Sequence, residues 1–262
     1  MIVGRQPSAR PSASEPALTG ASDERERVGI ISESEPVPDV ADLGVIAFTT
    51  TRAIGTFGVN ADEPVREVMG RWAALRSELL EFAPRLATAG QVHGTRIRVH
   101  DGTWHGWLRA GEGDGHFAPA RGTAMAVTVA DCVPVFIVHP HGATMVLHSG
   151  WRGTAARILV HALAELERSA FSVAETRIHL GPAICGRCYE VSADVCAQLT
   201  GRDPGKPTPV DLRAILAGQA RAAGAKRITV SELCTRCNND RFFSHRAGDL
   251  GRQLGVIVAH AV

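Results

Sequence analysis

The chain has 262 residues, 45% of them hydrophobic, and a formal net charge of +1; it is long enough to bury a substantial core as one large domain or two small ones. So even a charge balance excludes the concentrated basic face that non-specific nucleic-acid binding needs. The longest apolar run, "AMAVTVADCVPVFIV" at 124–138, is broken by Asp131 and is too short to span a bilayer.

Residues 1–40 hold five of the fourteen prolines, six serines and no aromatic residue. Such a stretch cannot bury enough apolar surface to offset an ordering entropy of roughly 1–2 kcal/mol per residue, so it reads as a disordered tail. The start, "MIVGRQPSAR", has no apolar core of a secretory signal. The six cysteines are therefore read as thiols or metal ligands rather than a disulfide framework. A cytoplasmic monomer is expected, with no nucleic-acid or membrane partner.

From residue 41 to 262 short strand-like runs alternate with helical ones, as expected of a single domain. "GVIAFTTT" (44–51) is strand-like, and 64–82 is helical, with Val65, Val68, Trp72, Leu75 and Leu79 at helical spacing behind Pro64. "RIRVH" (96–100) alternates as a half-buried strand does. Three strands follow closely at 123–129, 133–139 and 142–148. A helix is expected to start at Thr154 as its N-cap, with Ile158, Ala162 and Leu166 on one face. Further strands are predicted at 176–184 and 225–233, and a helix at 210–224 stopped by Gly224. Clustered strands mixed with helices indicate an α+β fold with a mixed sheet.

Three strand edges carry a soft or borderline ligand: His93 in "GQVHGT", Cys132 in "VADCVP" and His148 in "LHSGWRG". Two imidazoles and one thiolate suit a catalytic zinc, whose fourth position is left for water or substrate. Zinc lowers the pKa of that water to about 7, which yields a nucleophile at neutral pH. The same atoms suit a Cys132–His148 thiol-hydrolase pair, and spacings of 39 and 16 residues do not choose between these readings. Asp131 is a candidate proton shuttle if the chain bends beside it, since neighbours on a strand face opposite ways.

Arg152, between Gly150 and Gly153 ahead of a helix, is placed to hold a phosphate or carboxylate. Arg52 and Arg246 are its candidate partners, and Gln91 is a candidate contact to a base or hydroxyl. "CGRC" (185–188) and "CTRC" (234–237) could together form a four-cysteine structural zinc site. The 45 residues between them, however, exceed the usual 15–20 of a zinc ribbon. Cys196 reads as a packing residue, His179 and His161 as packing or surface residues, and His139 and His141 as turn residues.

Taken together, "TTTR", "QVHG", "GDG", "TVADCVPV", "HSGWRGT", "LGPAICGRCYEV", "CTRCNNDRFFSHR" and "GRQLGVI" resemble the YfiH-like family from about residue 44 to 257. The resemblance implies a four-layer α/β/β/α sandwich with mixed sheets, and convergence of His93, Cys132 and His148 on one metal, zinc or else copper. It also implies phosphorolysis of adenosine, inosine, guanosine and methylthioadenosine, and hydrolytic deamination of adenosine. The partners are then purine nucleosides and phosphate. Two other activities go with the family: a peptidoglycan-editing hydrolase with Cys132 as nucleophile, and a copper-dependent polyphenol oxidoreductase. Eleven scattered histidines, with no H-x-H beyond "HPH", argue against several clustered coppers.

Overall fold

Val133, Val135 and Ile137 belong to one layer of the core, whereas Phe136 and Val138 belong to another. The strand that carries them is therefore buried on both faces, and the alternation sets the architecture. The structure, a computed structural model, describes Met1 and residues 29–261.

Two mixed six-stranded sheets stack face to face. The first contains β1 (Glu35–Pro36), β2 (Val45–Thr49), β3 (Arg85–Gly90), β5 (Gly106–Glu112), β7 (Thr123–Val129) and β14 (Gln253–Ala259), in the order β1-β2-β14-β7-β3-β5. The second contains β4 (Ile97–Val99), β6 (Gly115–Ala118), β8 (Val133–Val138), β9 (Thr144–Ser149), β10 (Arg177–Leu180) and β13 (Arg227–Val230), in the order β13-β10-β8-β9-β6-β4. A two-residue pair, β11 (Glu190–Val191) and β12 (Thr208–Pro209), lies apart.

Between the sheets, Met125, Val127 and Ile257 meet Phe136, Val138 and Val146. On the outer face of the first sheet lies α1 (Val65–Leu79), which buries Val68, Trp72, Leu75 and Leu79 against Leu86, Ala126 and Val256. The outer face of the second sheet is covered by α2 (Trp151–Ala155), α3 (Ile158–Arg168), α4 (Ala193–Thr200) and α5 (Leu212–Ala222). Ile158, Ala162 and Leu166 all face inward there, as their spacing requires. Ile158 and Leu166 each contribute roughly 1.5–3 kcal/mol on full burial, and the smaller Ala162 less. The result is the α/β/β/α sandwich. No helix among the described residues is long and apolar enough to cross a membrane.

Three sequence expectations are corrected. Residues 29–40 are not a tail: β1 pairs with β2, and Ile30, Val37 and Val40 are buried. Residues 2–28, the rest of that expected segment, lie outside the described residues. Thr154 caps no helix. The chain enters α2 from Gly150, breaks at Arg157 in the left-handed region (φ 62°), and restarts as α3. Thr154 is instead buried, with its hydroxyl 2.9 Å from that of Ser149. Val65 stays exposed because α1 needs only the four residues after it to cover the sheet.

Candidate functional site

The chain crosses from the first sheet to the second three times at the same end of the sandwich, after the parallel strands β3, β5 and β7, and the crossings after β3 and β7 carry two of the candidate ligands. His93 lies on the crossing after β3, Cys132 on the crossing after β7, and His148 near the end of β9. Their ligand atoms all lie within 4.8 Å of one another, and the two imidazoles meet edge to face with centroids 4.7 Å apart. Both crossings are tight: His93 (φ 59°) and Asp131 (φ 76°) occupy the left-handed region that non-glycine residues avoid. Such strain persists only where neighbours over-determine it.

Asp114 supplies that constraint for His93. It is fully buried, and its carboxylate accepts the backbone N–H groups of Val92, His93 and Gly94 at 2.8–3.1 Å. The same carboxylate lies 2.9 Å from Nδ1 of His148. An ionised carboxylate only accepts, so Nδ1 carries the proton and Nε2 is left for the shared centre. One buried acid thus orients two ligands. The sequence signal was "GDG": a carboxylate between two glycines at a strand start. A Cβ on Gly115 would sit 2.4 Å from the Ile97 Cδ1 methyl and 2.8 Å from a Leu147 Cδ methyl, so a side chain there would require both to shift.

Asp131 is held just as firmly. Its carboxylate accepts Thr235 Oγ1 at 2.6 Å and the Arg246 amide at 2.7 Å, and its carbonyl accepts the Ile184 amide at 3.1 Å. The bend expected beside Cys132 is present, at Asp131 rather than at Pro134, which lies within β8 opposite His148.

The electrostatics favour a charged pair. Burial pushes the Cys132 thiol up, but the His148 charge and hydrogen bonds from both imidazoles outweigh it and bring the thiol down to about 6. Burial opposes charge on His148 too, yet Cys132 and Asp114 raise it to about 9. Two imidazoles and a thiol drawn toward thiolate fit a borderline-soft ion such as zinc or copper. Gly150 leaves room for one, since a Cβ there would stand 2.9 Å from Cys132 Sγ and 3.4 Å from His93 Cδ2. This close approach explains the first glycine of "GWRG".

The three residues line a cavity of about 790 Å³. Phe57, Trp72 and Trp107 form part of its wall, and the two indoles stack at 4.9 Å. Trp72 and Trp107 direct their N–H groups to Phe57 O and Thr88 Oγ1. Arg109, Arg252 and His245 add cationic or titratable lining that sequence reading missed, because they come from three segments far apart in the chain, the middle of β5, the approach to β14 and the turn at residues 245–247.

The remaining expected residues divide. Gln91 lines the cavity, but its amide is engaged with Thr128, donating to O at 2.8 Å and accepting N–H and Oγ1 at 2.7 and 2.8 Å. Arg52 does not reach the cavity; it pairs with Asp249 at 2.5 Å, donates to Phe242 O and lies over the Phe243 ring. Arg152 lies exposed over Trp151, and Arg246 over Tyr189. Burial and the Cys132 charge raise Tyr189 to about 12, and neither Arg152 nor Arg246 is among the residues that line the cavity. The two C-x-x-C pairs, separated by too long a stretch for a ribbon, do meet in space.

A family model described as multi-copper polyphenol oxidoreductase laccase matches residues 54–260. The purine nucleoside phosphorylase ORF3 of Streptomyces griseus is 31% identical, with the match covering 76% of this chain and 84% of that protein. A protein named adenosine deaminase RL5, from an unknown prokaryotic organism, is 32% identical over 81% of this chain and 90% of its own length. The crystal structure of YlmD from Geobacillus stearothermophilus superposes with a TM-score of 0.74 at 28% identity, covering 83% of this chain and 93% of that one. With the matched span taking in the histidine, cysteine and arginine motifs in order, the chain belongs to the YfiH-like family.

Proposed function

We propose that the chain is a purine nucleoside phosphorylase that also deaminates adenosine, working at a metal centre held by His93, Cys132 and His148. Zinc is the expected ion and copper the second candidate. The observation that carries this reading is the convergence of those three side chains on an aromatic-walled cavity. The names of relatives at 31–32% identity agree with it.

When bound, the ion would supply Lewis acidity at this wall of the cavity. The chain's own residues do the rest. Asp114 fixes the His148 tautomer and the His93 loop. Phe57, Trp72 and Trp107 offer an apolar wall of the kind a purine stacks on. Arg152 and Arg246, which lie over Trp151 and Tyr189, are the cations proposed to hold phosphate as it attacks the anomeric carbon and the bond to the departing purine breaks. Adenosine, inosine, guanosine and methylthioadenosine share the purine and ribosyl groups this requires. Asp131 acts as a positioning residue, because both its oxygens are already engaged.

The test is product analysis from adenosine, with and without phosphate, alongside metal content. Phosphate-dependent adenine and phosphate-independent inosine are expected, and both should vanish in Cys132→Ala. A metal-free Cys132→Ala that keeps full phosphorolysis would overturn the reading.

A second reading rests on the Cys132–His148–Asp114 series, which has the nucleophile, base and orienting acid of a thiol hydrolase. It corresponds to the peptidoglycan-editing amidohydrolase and requires amide cleavage by metal-free protein. The copper-dependent polyphenol oxidoreductase finds less support. Among the described residues one ligand group contains histidine, and it holds only His93 and His148.

A further inference from the structure

The strands β10 and β13 are parallel neighbours, in register from Arg177–Arg227 to Leu180–Val230. Their C-terminal ends therefore emerge at the same edge, and each is followed within a few residues by a C-x-x-C turn. The 45 intervening residues hold most of the crossover that a parallel pair demands, with α4 and α5, followed by β13 itself. The long spacing that argues against a zinc ribbon is thus the length of a crossover, not a separation in space.

We propose that Cys185, Cys188, Cys234 and Cys237 hold a structural zinc ion that clamps these two loops together. All four sulfurs lie within 4.8 Å of one another, and Cys188 and Cys237 stand 3.4 Å apart without a bond. A tetrahedral zinc with bonds near 2.3 Å sets its thiolates about 3.8 Å apart, so the site forms with sub-ångström to about 1 Å adjustments, the Cys188–Cys237 pair opening slightly and the wider pairs closing. That span accommodates one ion, not an iron–sulfur cluster whose thiolates bind different irons.

The backbone is already arranged as a thiolate site arranges it. Cys234 Sγ accepts the amides of Cys185 at 3.2 Å and Cys237 at 3.4 Å. Each pair closes a turn, through Cys188 N to Cys185 O at 3.0 Å and Asn238 N to Cys234 O at 2.9 Å. Zinc displaces the four thiol protons to solvent and leaves a net charge of about −2. Arg187 and Arg236 lie inside the two turns, and Arg236 donates to Cys188 O at 3.4 Å. Cationic residues are placed where that charge would develop.

The clamp has a consequence for the first centre. Ile184 directly precedes Cys185, and Thr235 directly follows Cys234. These two residues hold the carbonyl and carboxylate of Asp131, next to Cys132. The four-cysteine ion is a positioning device for the loop that carries the thiolate.

Metal content and Co²⁺ spectra of the full chain test this independently of any turnover. A His93→Ala/Cys132→Ala variant, made with zinc in the medium, should retain about one zinc per chain. Exchanged into Co²⁺, it should show the intense ligand-field and thiolate charge-transfer absorption of a tetrahedral tetrathiolate. Cys188→Ser/Cys237→Ser should lose that ion. If the serine variant does not fold, thiol titration of the His93→Ala/Cys132→Ala chain decides, with Cys185, Cys188, Cys234 and Cys237 expected to react only after a chelator is added. Absence of zinc and of the tetrathiolate spectrum in His93→Ala/Cys132→Ala, or immediate reaction of all these thiols, overturns the proposal.

Discussion

The carboxylate of Asp114 lies 2.9 Å from His148 Nδ1 and also accepts the His93 amide at 2.9 Å, so one side chain with no exposed surface fixes two of three converging ligands. Asp114→Asn keeps the shape but places an amide group where a proton must be accepted. Zinc affinity is expected to fall about 10–100-fold, the usual cost of losing such a support. Competition with a chromophoric chelator measures it, and an affinity within twofold of the native value would remove Asp114 from this role.

Gly150→Ala isolates the space between the ligands. The added methyl would stand 2.9 Å from Cys132 Sγ, and the backbone there is extended and strained by no side chain. The variant should fold with a melting temperature close to native yet lose most of its bound metal and nucleoside cleavage. Native metal content would show that the ligands adjust freely.

The pH response of metal-free protein follows from two opposite shifts. Cys132 is lowered from 9.0 to about 6, so its contribution is complete above pH 9 and is lost as pH falls through about 6. His148 is raised from 6.5 to about 9, so its contribution is complete below pH 6.5 and is lost as pH rises through about 9. The thiolate–imidazolium pair therefore persists between about pH 6 and 9. The rise for Cys132 and the fall for His148 cancel across that window and neither group adds a slope outside it, so thermal stability should change little with pH through this pair, whereas His148→Gln should return the Cys132 midpoint toward the ordinary thiol value. Iodoacetamide should label Cys132 with a midpoint near the lower limit; a midpoint at the ordinary thiol value would contradict the pairing.

Arg152 and Arg52 should separate by phenotype. Arg152→Ala is expected to raise KM for phosphate about 10-fold, the loss of one charge-assisted contact, while KM for the nucleoside stays constant. Arg52→Ala breaks the partly buried pair with Asp249 and the bond to Phe242 O, and should cost roughly 1–3 kcal/mol of stability with both KM values unchanged. Steady-state kinetics and denaturant unfolding distinguish the two, and a phosphate effect in Arg52→Ala alone would invert the assignment.

Local chemistry and periodicity determined much of this protein from its sequence. The β7 expectation at 123–129 coincides with Thr123–Val129, and the inward row of Ile158, Ala162 and Leu166 was readable as well, because side-chain period is a local property. The residue types of the first centre were also legible, since imidazole and thiol announce their chemistry wherever they stand. Tertiary structure alone decided that Asp114 supports both histidines, that Asp131 and Arg52 serve the loops, and that Cys185 and Cys188 meet Cys234 and Cys237. Each of these contacts joins segments brought together by strand pairing or by a crossing between sheets. Separation along the chain carries no measure of that distance in space.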